Sequence, residues 1–181
     1  MIQRSFVRKI RGMRDKNYWQ QLTDLGLYSL ERRRERYMAI YTWKILEGIV
    51  PNMGSDSDIL PNQNPRRGRL CKIPQVLPNA PSRIKTLRTE SFVIKGPRIF
   101  NSLPQEIRSF TGGTVDAFKS RLDAYLKTVP DEPLIPGYIA ARRVESNSLI
   151  DWANYLSLDN EGARGLQQVQ HATRADQPDS P

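Results

Sequence analysis

Ser29-Leu30-Glu31-Arg32-Arg33-Arg34-Glu35-Arg36-Tyr37-Met38-Ala39-Ile40-Tyr41-Thr42-Trp43-Lys44-Ile45 is a helix whose first half is basic and whose second half is apolar and aromatic on nearly every face. Ser29 stands at the N-cap and Glu31 falls in the first turn, where the helix dipole favours a carboxylate. Gly48 followed by Pro51 stops the helix. Leu30, Tyr37, Tyr41 and Ile45 recur at helical spacing and are expected to form its inner stripe. Arg34 falls inside that stripe by helical angle, so it needs a carboxylate or a phosphate; an unpaired buried charge costs several kcal/mol or more. Arg32, Arg36 and Trp43 share the opposite face. Two readings fit them: arginines that pair with phosphates beside an aromatic that stacks on bases, or solvated arginines beside a core tryptophan.

Upstream, Ile2, Phe6 and Ile10 recur four apart while Arg4, Arg8 and Arg11 recur four and three apart. That spacing predicts one helix with an apolar stripe and a basic stripe, ended by Gly12. The same residues resemble an Arg-rich transit peptide, and the reading preferred is a helix entered partway. Tyr18, Leu22 and Leu25 predict a second, short helix with Gly26 as its left-handed cap.

Downstream, residues 51–68 are rich in Pro, Asn, Ser, Asp and Gly and read as a linker or long loop. It closes on Arg66-Arg67-Gly68-Arg69, a basic cluster that suits groove contacts and is equally common on inert surfaces. Leu70–Leu77 and Ser91–Lys95 are β-compatible runs expected to pair as antiparallel strands, the second broken by Gly96-Pro97, with Pro97 opening a short helical turn. Pro104 repeats that device before Gln105–Arg108, with Phe100, Leu103 and Ile107 pointing inward together. Thr114 caps the next helix, whose apolar face is Val115, Phe118, Leu122, Tyr125 and Leu126. Residues 129–156 read as an extended segment and a short helix, and 157–181 as a disordered tail.

The chain of 181 residues is 38% hydrophobic, enough for a core but not for one spanning its whole length. Its net charge of +9 is uneven: residues 1–50 carry +6 (11 basic, 5 acidic), residues 51–128 carry +7 (13 basic, 6 acidic) and residues 129–181 carry −4 (4 basic, 8 acidic). A field of that sign favours nucleic acid through phosphate neutralisation and counterion release. No apolar run approaches the ~20 residues of a membrane span. Cys71 stands alone, which rules out an intramolecular disulfide or a Cys-rich zinc site and suits a reducing, intracellular compartment, nuclear or cytoplasmic.

Catalytic constellations are missing from the pattern. The single histidine, His171, lies in the tail, so neither a His-based triad nor a His-based metal site is expected. Cys71 has no histidine nearby in sequence and reads as an apolar filler. Asp131 and Glu132 are adjacent on an extended stretch and point apart. Gly112-Gly113 lacks the spacing and lysine of a phosphate-binding loop. No cofactor and no small-molecule substrate are expected.

Five stretches taken in order carry a resemblance: Ser29 to Tyr37 with Trp43-Lys44-Ile45-Leu46-Glu47-Gly48; Arg67-Gly68-Arg69; Ser91-Phe92 through Gly96-Pro97; Phe100-Asn101-Ser102-Leu103-Pro104; and Pro130-Asp131-Glu132-Pro133 with Asn147-Ser148-Leu149. Together they resemble the thumb-like region that follows the polymerase domain in LINE-type (jockey/CR1-like, non-LTR) retrotransposon reverse transcriptases. The likeness runs from about Ile2 to Leu156. It implies a helical thumb-like piece and a small mixed element, which in such elements act beside the polymerase on template RNA, primer or target DNA. The family's palm aspartates, endonuclease domain and Cys/His zinc knuckle have no counterpart in this chain.

The expected fold is therefore α+β and mainly helical, with a basic three-helix thumb-like unit over residues 1–50, a linker over 51–68, and a β-hairpin plus helix over 69–128. The expected function is non-catalytic binding of RNA or DNA through Arg4, Arg8, Arg11, Arg32, Arg33, Arg34, Arg36, Trp43, Arg66, Arg67 and Arg69. The rival readings are a module that docks on a separate polymerase chain, motivated by the all-round apolar Met38–Leu46, and a degenerate remnant without independent function.

Overall fold

Ser29 starts the longest helix, α3 (Leu30–Leu46), by accepting a hydrogen bond from the Arg32 N–H at 3.1 Å. Gly48, at φ +69°, ends it in the left-handed conformation that spares glycine a steric penalty. The computed structural model describes residues 2–52, 59–64, 66–74, 79, 81–132, 147–154 and 156. Before α3 come α1 (Ile2–Val7) and α2 (Tyr18–Asp24); after it come β1 (Pro61–Asn64), β2 (Gly68–Cys71), α4 (Ser82–Glu90), α5 (Phe92–Ser102), α6 (Gln105–Arg108) and α7 (Val115–Leu126). Residues 149–154 form a further short helix. The fold is mainly helical with a small two-stranded antiparallel sheet, as the α+β expectation required. The tail expected over 157–181 and His171 lie outside the described residues.

The core gathers around Trp43. Its indole stacks on Phe118 with ring centroids 4.6 Å apart and planes 8° from parallel, and Phe110 lies 6.0 Å away on a near-parallel plane. The indole Nε1–H donates to the Phe110 carbonyl at 2.8 Å, so the tryptophan's one polar atom is satisfied inside. Ile99, Phe100, Leu103 and Ile107 from α5 and α6, with Leu122 and Leu126 from α7, complete this cluster, joined by Ile59 and Leu149 from either end. Residues before and after the linker thus share one core. The α6 and α7 expectations hold in detail: Pro104 precedes α6, and the Thr114 hydroxyl accepts from the Ala117 N–H.

Three expectations fail. The inner stripe of α3 is not Leu30, Tyr37, Tyr41 and Ile45: of these only Ile45 is buried, while Arg32, Glu35, Ala39, Ile40, Thr42 and Trp43 face inward. The buried face begins with charges, so apolar periodicity pointed to the wrong side. α1 ends at Val7 and not at Gly12, so Arg8, Ile10 and Arg11 fall in the turns after it; Ile2 and Phe6 of the expected apolar stripe face out, leaving Val7 as its buried residue.

The third failure is the hairpin. β2 pairs with β1, Pro61 opposite Cys71 and Asn64 opposite Gly68, inside the stretch expected to be a linker. Residues 91–95 are not a strand but the start of α5, and α4 fills the preceding stretch. Pro97 sits inside α5 and does not open it. Two features permit this. A proline in a helix clashes with the side chain of the residue before it, and Gly96 has none. Gly96 also faces α3 so closely that an added Cβ would lie 2.8 Å from Thr42 Oγ1. The Gly-Pro pair that reads as a break is the point where two helices cross.

Side-chain amides stand in for strand partners beside this sheet. Asn101 accepts from the Cys71 N–H at 2.7 Å and donates to its carbonyl at 2.9 Å. Asn52 makes the same double bond with Ile59, both at 3.0 Å. Buried Arg108 donates from Nε to the Leu103 carbonyl and from Nη1 to the carbonyls of Arg67 and Arg69, fixing the β1–β2 turn to α6.

Candidate nucleic-acid interface

The predicted basic residues separate into those that hold the fold together and those that face solvent. Arg32 belongs to the first group, being 1% exposed. Its Nη2 donates to the carbonyls of Pro130 (2.8 Å) and Asn147 (3.1 Å), and its Nε lies 3.6 Å from Asp131. Around it, Asp131 accepts from the backbone N–H and hydroxyl of Ser29, and Asn147 Nδ2 donates to Ser29 Oγ and to Asp131. One turn on, buried Glu35 accepts from the Ser148 hydroxyl at 2.7 Å and from the Leu149 N–H at 3.1 Å, capping the helix over 149–154. Burial raises the Glu35 carboxyl above its ordinary value, and the bonds from Ser148 and Leu149 and the charge of Arg32 counteract the shift only in part. The first turns of α3 are therefore a clamp for the C-terminal segments, and Arg32 is not a phosphate contact.

Three more expectations fall for the same reason. Arg36 makes a two-pronged bond to Asp123 on α7, at 2.5 and 2.7 Å, a geometry that leaves little of the guanidinium for a ligand. Arg69 pairs with Glu47 and donates to the Leu46 carbonyl, capping the C-terminal end of α3. Trp43 is fully buried and offers no face to a base. Arg34 does meet a carboxylate, Glu31 at 3.6 Å, but from the solvent side, because the stripe it shares faces outward. Arg66 and Arg67 lie exposed beside the β1–β2 turn.

Arg4, Arg8 and Arg11 remain. All three are exposed, and among the described residues none pairs with a carboxylate. Arg4 lies 4.9 Å from the Tyr18 ring centroid, and Arg33, half-buried and also without a carboxylate partner among the described residues, is near enough to act on the same phenol. Burial raises the Tyr18 hydroxyl above its ordinary value, which the two arginines oppose. Arg4 and Ser5 from α1, and Arg8 and Arg14 from the turns that follow it, line an open cavity of about 420 Å³.

That cavity has a built frame. Buried Gln21 donates from Nε2 to the carbonyls of Met13 (2.5 Å) and Lys16 (2.9 Å), which pins the turn that carries Arg14 onto α2. Asn17 and Gln20 close a reciprocal capping box at the start of α2. Gln3 then joins α1 to the rest: it donates to the Tyr28 carbonyl and accepts from the Tyr18 hydroxyl, both at 2.9 Å. The arginines are thus long side chains on a positioned backbone.

Arg14 was missed by periodicity because it follows Gly12 and belongs to no helix. Its signal was the spacing itself, since Arg14 extends the run Arg4, Arg8, Arg11 by three more residues. Among the described residues no three His, Cys, Asp or Glu side chains gather as a metal site needs, and no helix is long and apolar enough to cross a membrane. Burial pushes the Cys71 thiol up to about 12, far from a thiolate nucleophile at neutral pH. No protein-family model, no curated protein and no solved structure matches this chain.

Proposed function

We propose that the chain is a non-catalytic nucleic-acid-binding module related to the post-polymerase region of LINE-type reverse transcriptases, and that it grips phosphates through Arg4, Arg8, Arg11 and Arg14. The observation that carries this reading is the cavity at α1: three guanidinium groups line one open space and, among the described residues, no carboxylate neutralises them. Clustered like charges raise the free energy of the unliganded surface, and a polyanion relieves it while releasing its own counterions. The ancestry rests on the resemblance of the sequence stretches alone.

Affinity for RNA or DNA measured across a salt series tests this. Three to four arginine–phosphate contacts predict a slope of log affinity against log salt of about −2 to −4. Replacing Arg4, Arg8 and Arg14 together by Gln flattens that slope by about 2 to 3. A flat plot for the parent protein, or a triple variant that binds like the parent, refutes the reading.

A second reading rests on α3, where Leu30, Tyr37 and Tyr41 form an exposed apolar and aromatic stripe. Such a stripe suits docking on a separate polymerase chain. The third, a degenerate remnant, predicts no cooperative unfolding transition. A single sharp melt removes it.

A further inference from the structure

At ~100° per residue, Leu30, Arg34, Tyr37 and Tyr41 fall within ~60° of one another round α3, on the side turned away from Trp43. Tyr37 is 66% exposed and Tyr41 47% exposed, and the Arg34 side chain between Leu30 and Tyr37 is 68% exposed. Arg33, four residues before Tyr37, and Lys44, three residues after Tyr41, border the same stripe. Both are half-buried, and among the described residues neither pairs with a carboxylate. Residues three and four apart on a helix hold their Cβ atoms ~5–6 Å apart, so each tyrosine has a cation beside it on its own helix face. Tyr41 meets Phe92 of α5 in a T-shaped contact with centroids 5.4 Å apart, and Arg36, held by Asp123, lies 5.7 Å from the Tyr37 ring centroid. The acid of this end, Glu31, is shared between Arg34 at 3.6 Å and Lys95 at 3.3 Å.

Resting on the nucleic-acid reading above, we infer that this face of α3 takes a single strand, with unstacked bases on Tyr37 and Tyr41 and backbone phosphates on Arg33, Arg34 and Lys44. Aromatic rings interleaved with cations are how proteins hold single strands without reading their sequence. In a duplex every base is already stacked within the helix, so the two tyrosines have no ring to meet there. Charge decides the occupant: an apolar protein surface laid on the stripe would have to desolvate Arg34 at its centre, whereas a phosphodiester pairs with it and with the cations at the border. Trp43, which the sequence offered as the stacking platform, is buried because α3 is turned the other way, and the same turn brings Tyr37 and Tyr41 into solvent.

The test uses the full chain and three fluorescent probes of equal length read by anisotropy: an oligothymidylate, a mixed-sequence duplex, and a strand without bases. Tyr37→Ala, at an exposed site, is checked for an unchanged melt, and Tyr37→Phe keeps the ring. The expected result for Tyr37→Ala is a 5- to 150-fold weakening for the oligothymidylate, none for the duplex or the baseless strand, and an unchanged salt slope, with Tyr37→Phe binding like the parent. Arg34→Gln weakens both single strands and flattens their salt slope by about 0.7. If Tyr37→Ala binds the oligothymidylate like the parent, or the duplex binds the parent as tightly as the single strand does, the inference falls, while loss of binding on replacing Arg4, Arg8 and Arg14 keeps the cavity reading. If that triple variant binds like the parent and Tyr37→Ala does not, the cavity falls and the α3 face stands. If no probe binds in a salt-dependent way, both fall. Self-association of the parent that Tyr37→Ala abolishes, without change in strand binding, also overturns the inference, because the stripe is then a protein contact.

Discussion

Replacing Arg32 by Ala separates a structural arginine from a ligand-binding one. The substitution removes the donations to the Pro130 and Asn147 carbonyls and the pairing with Asp131. It also leaves Glu35, itself fully buried, without the cation that favours its charged form. Removing one member of a buried charged group costs about 3–5 kcal/mol. Arg32 Nε and Nη1 are buried without hydrogen bonds, so the native interaction is incomplete and the cost falls near 3 kcal/mol. At about 2–4 °C per kcal/mol for a chain of this size, the melt drops by ~6–12 °C. Arg8→Gln, on the surface, changes stability by less than about 0.5 kcal/mol. Far-UV circular dichroism melts and urea titrations give the stabilities, and anisotropy below both melts gives binding. The reasoning is refuted if Arg32→Ala melts within about 2 °C of the parent protein. It is refuted equally if Arg32→Ala stays folded and loses binding as Arg8→Gln does, since Arg32 is then a ligand.

Glu35 makes stability depend on pH in a direction opposite to that of a favourably paired carboxylate. Its folded pKa lies above the unfolded value, so the folded state holds the proton longer, and stability falls as pH rises from about the ordinary 4.5 through the raised value. Glu35→Gln abolishes that component, and urea unfolding from pH 4 to 8 should show the variant gaining on the parent as pH rises; a constant difference would rule it out. Gly96→Ala places a Cβ 2.8 Å from Thr42 Oγ1, and the overpacking cost of about 1–3 kcal/mol exceeds the ~1 kcal/mol of helix propensity gained. A thermal melt should show that loss, and adding Thr42→Ala recovers only the part due to Thr42, because the same Cβ meets Phe92 Cε2 at 2.9 Å and precedes Pro97; a Gly96→Ala protein as stable as the parent would refute the close approach. Cys71, buried with its pKa pushed up to about 12, should resist iodoacetamide at pH 8 until urea unfolds the chain; quick labelling of the folded protein, followed by mass spectrometry, would contradict its placement.

What could be read from the sequence depended on whether apolar residues alone mark the buried face. α7 is such a case: Phe118, Leu122 and Leu126 are buried as their spacing predicted, and Thr114 caps the helix. On α3 the caps were legible at Ser29 and Gly48, but the face was not, because Arg32 and Glu35 begin the inner stripe while Tyr37 and Tyr41 lie outside. Their burial becomes tolerable only with Asp131, Asn147 and Ser148, partners about a hundred residues away that no local window contains. Gly96-Pro97 misled in another way. Local chemistry marked a break, and the packing of α5 on Thr42 made the same two residues a crossing point. Of the site, the α1 arginines were visible as a run, whereas Arg36 and Arg69 looked equally available until their carboxylates were located on other elements.

The placement of carboxylates also leaves the arginines between Arg4 and Arg14 without an acid among the described residues. Arg32, Arg36, Arg69 and Lys95 each hold an acid that joins distant parts of the chain: Asp131, Asp123, Glu47, and Glu31 with Glu90. Arg108 is satisfied by carbonyls and takes no acid at all. These acids are committed to cross-links within the fold, and among the described residues none pairs with Arg4, Arg8 or Arg14. Asp15 adjoins Arg14 in sequence and is exposed, yet makes no ion pair with it or with any other described residue. Two like charges 4 Å apart repel by only about 1 kcal/mol in water, so solvent tolerates the unliganded cluster. On the proposed reading, a phosphate among the same three guanidinium groups would add an attraction to each of them that outweighs their mutual repulsion. The backbone frame of Gln3, Asn17 and Gln21 positions the segments that carry Arg4, Arg8 and Arg14, so their nearness is fixed by hydrogen bonds that do not involve the guanidinium groups.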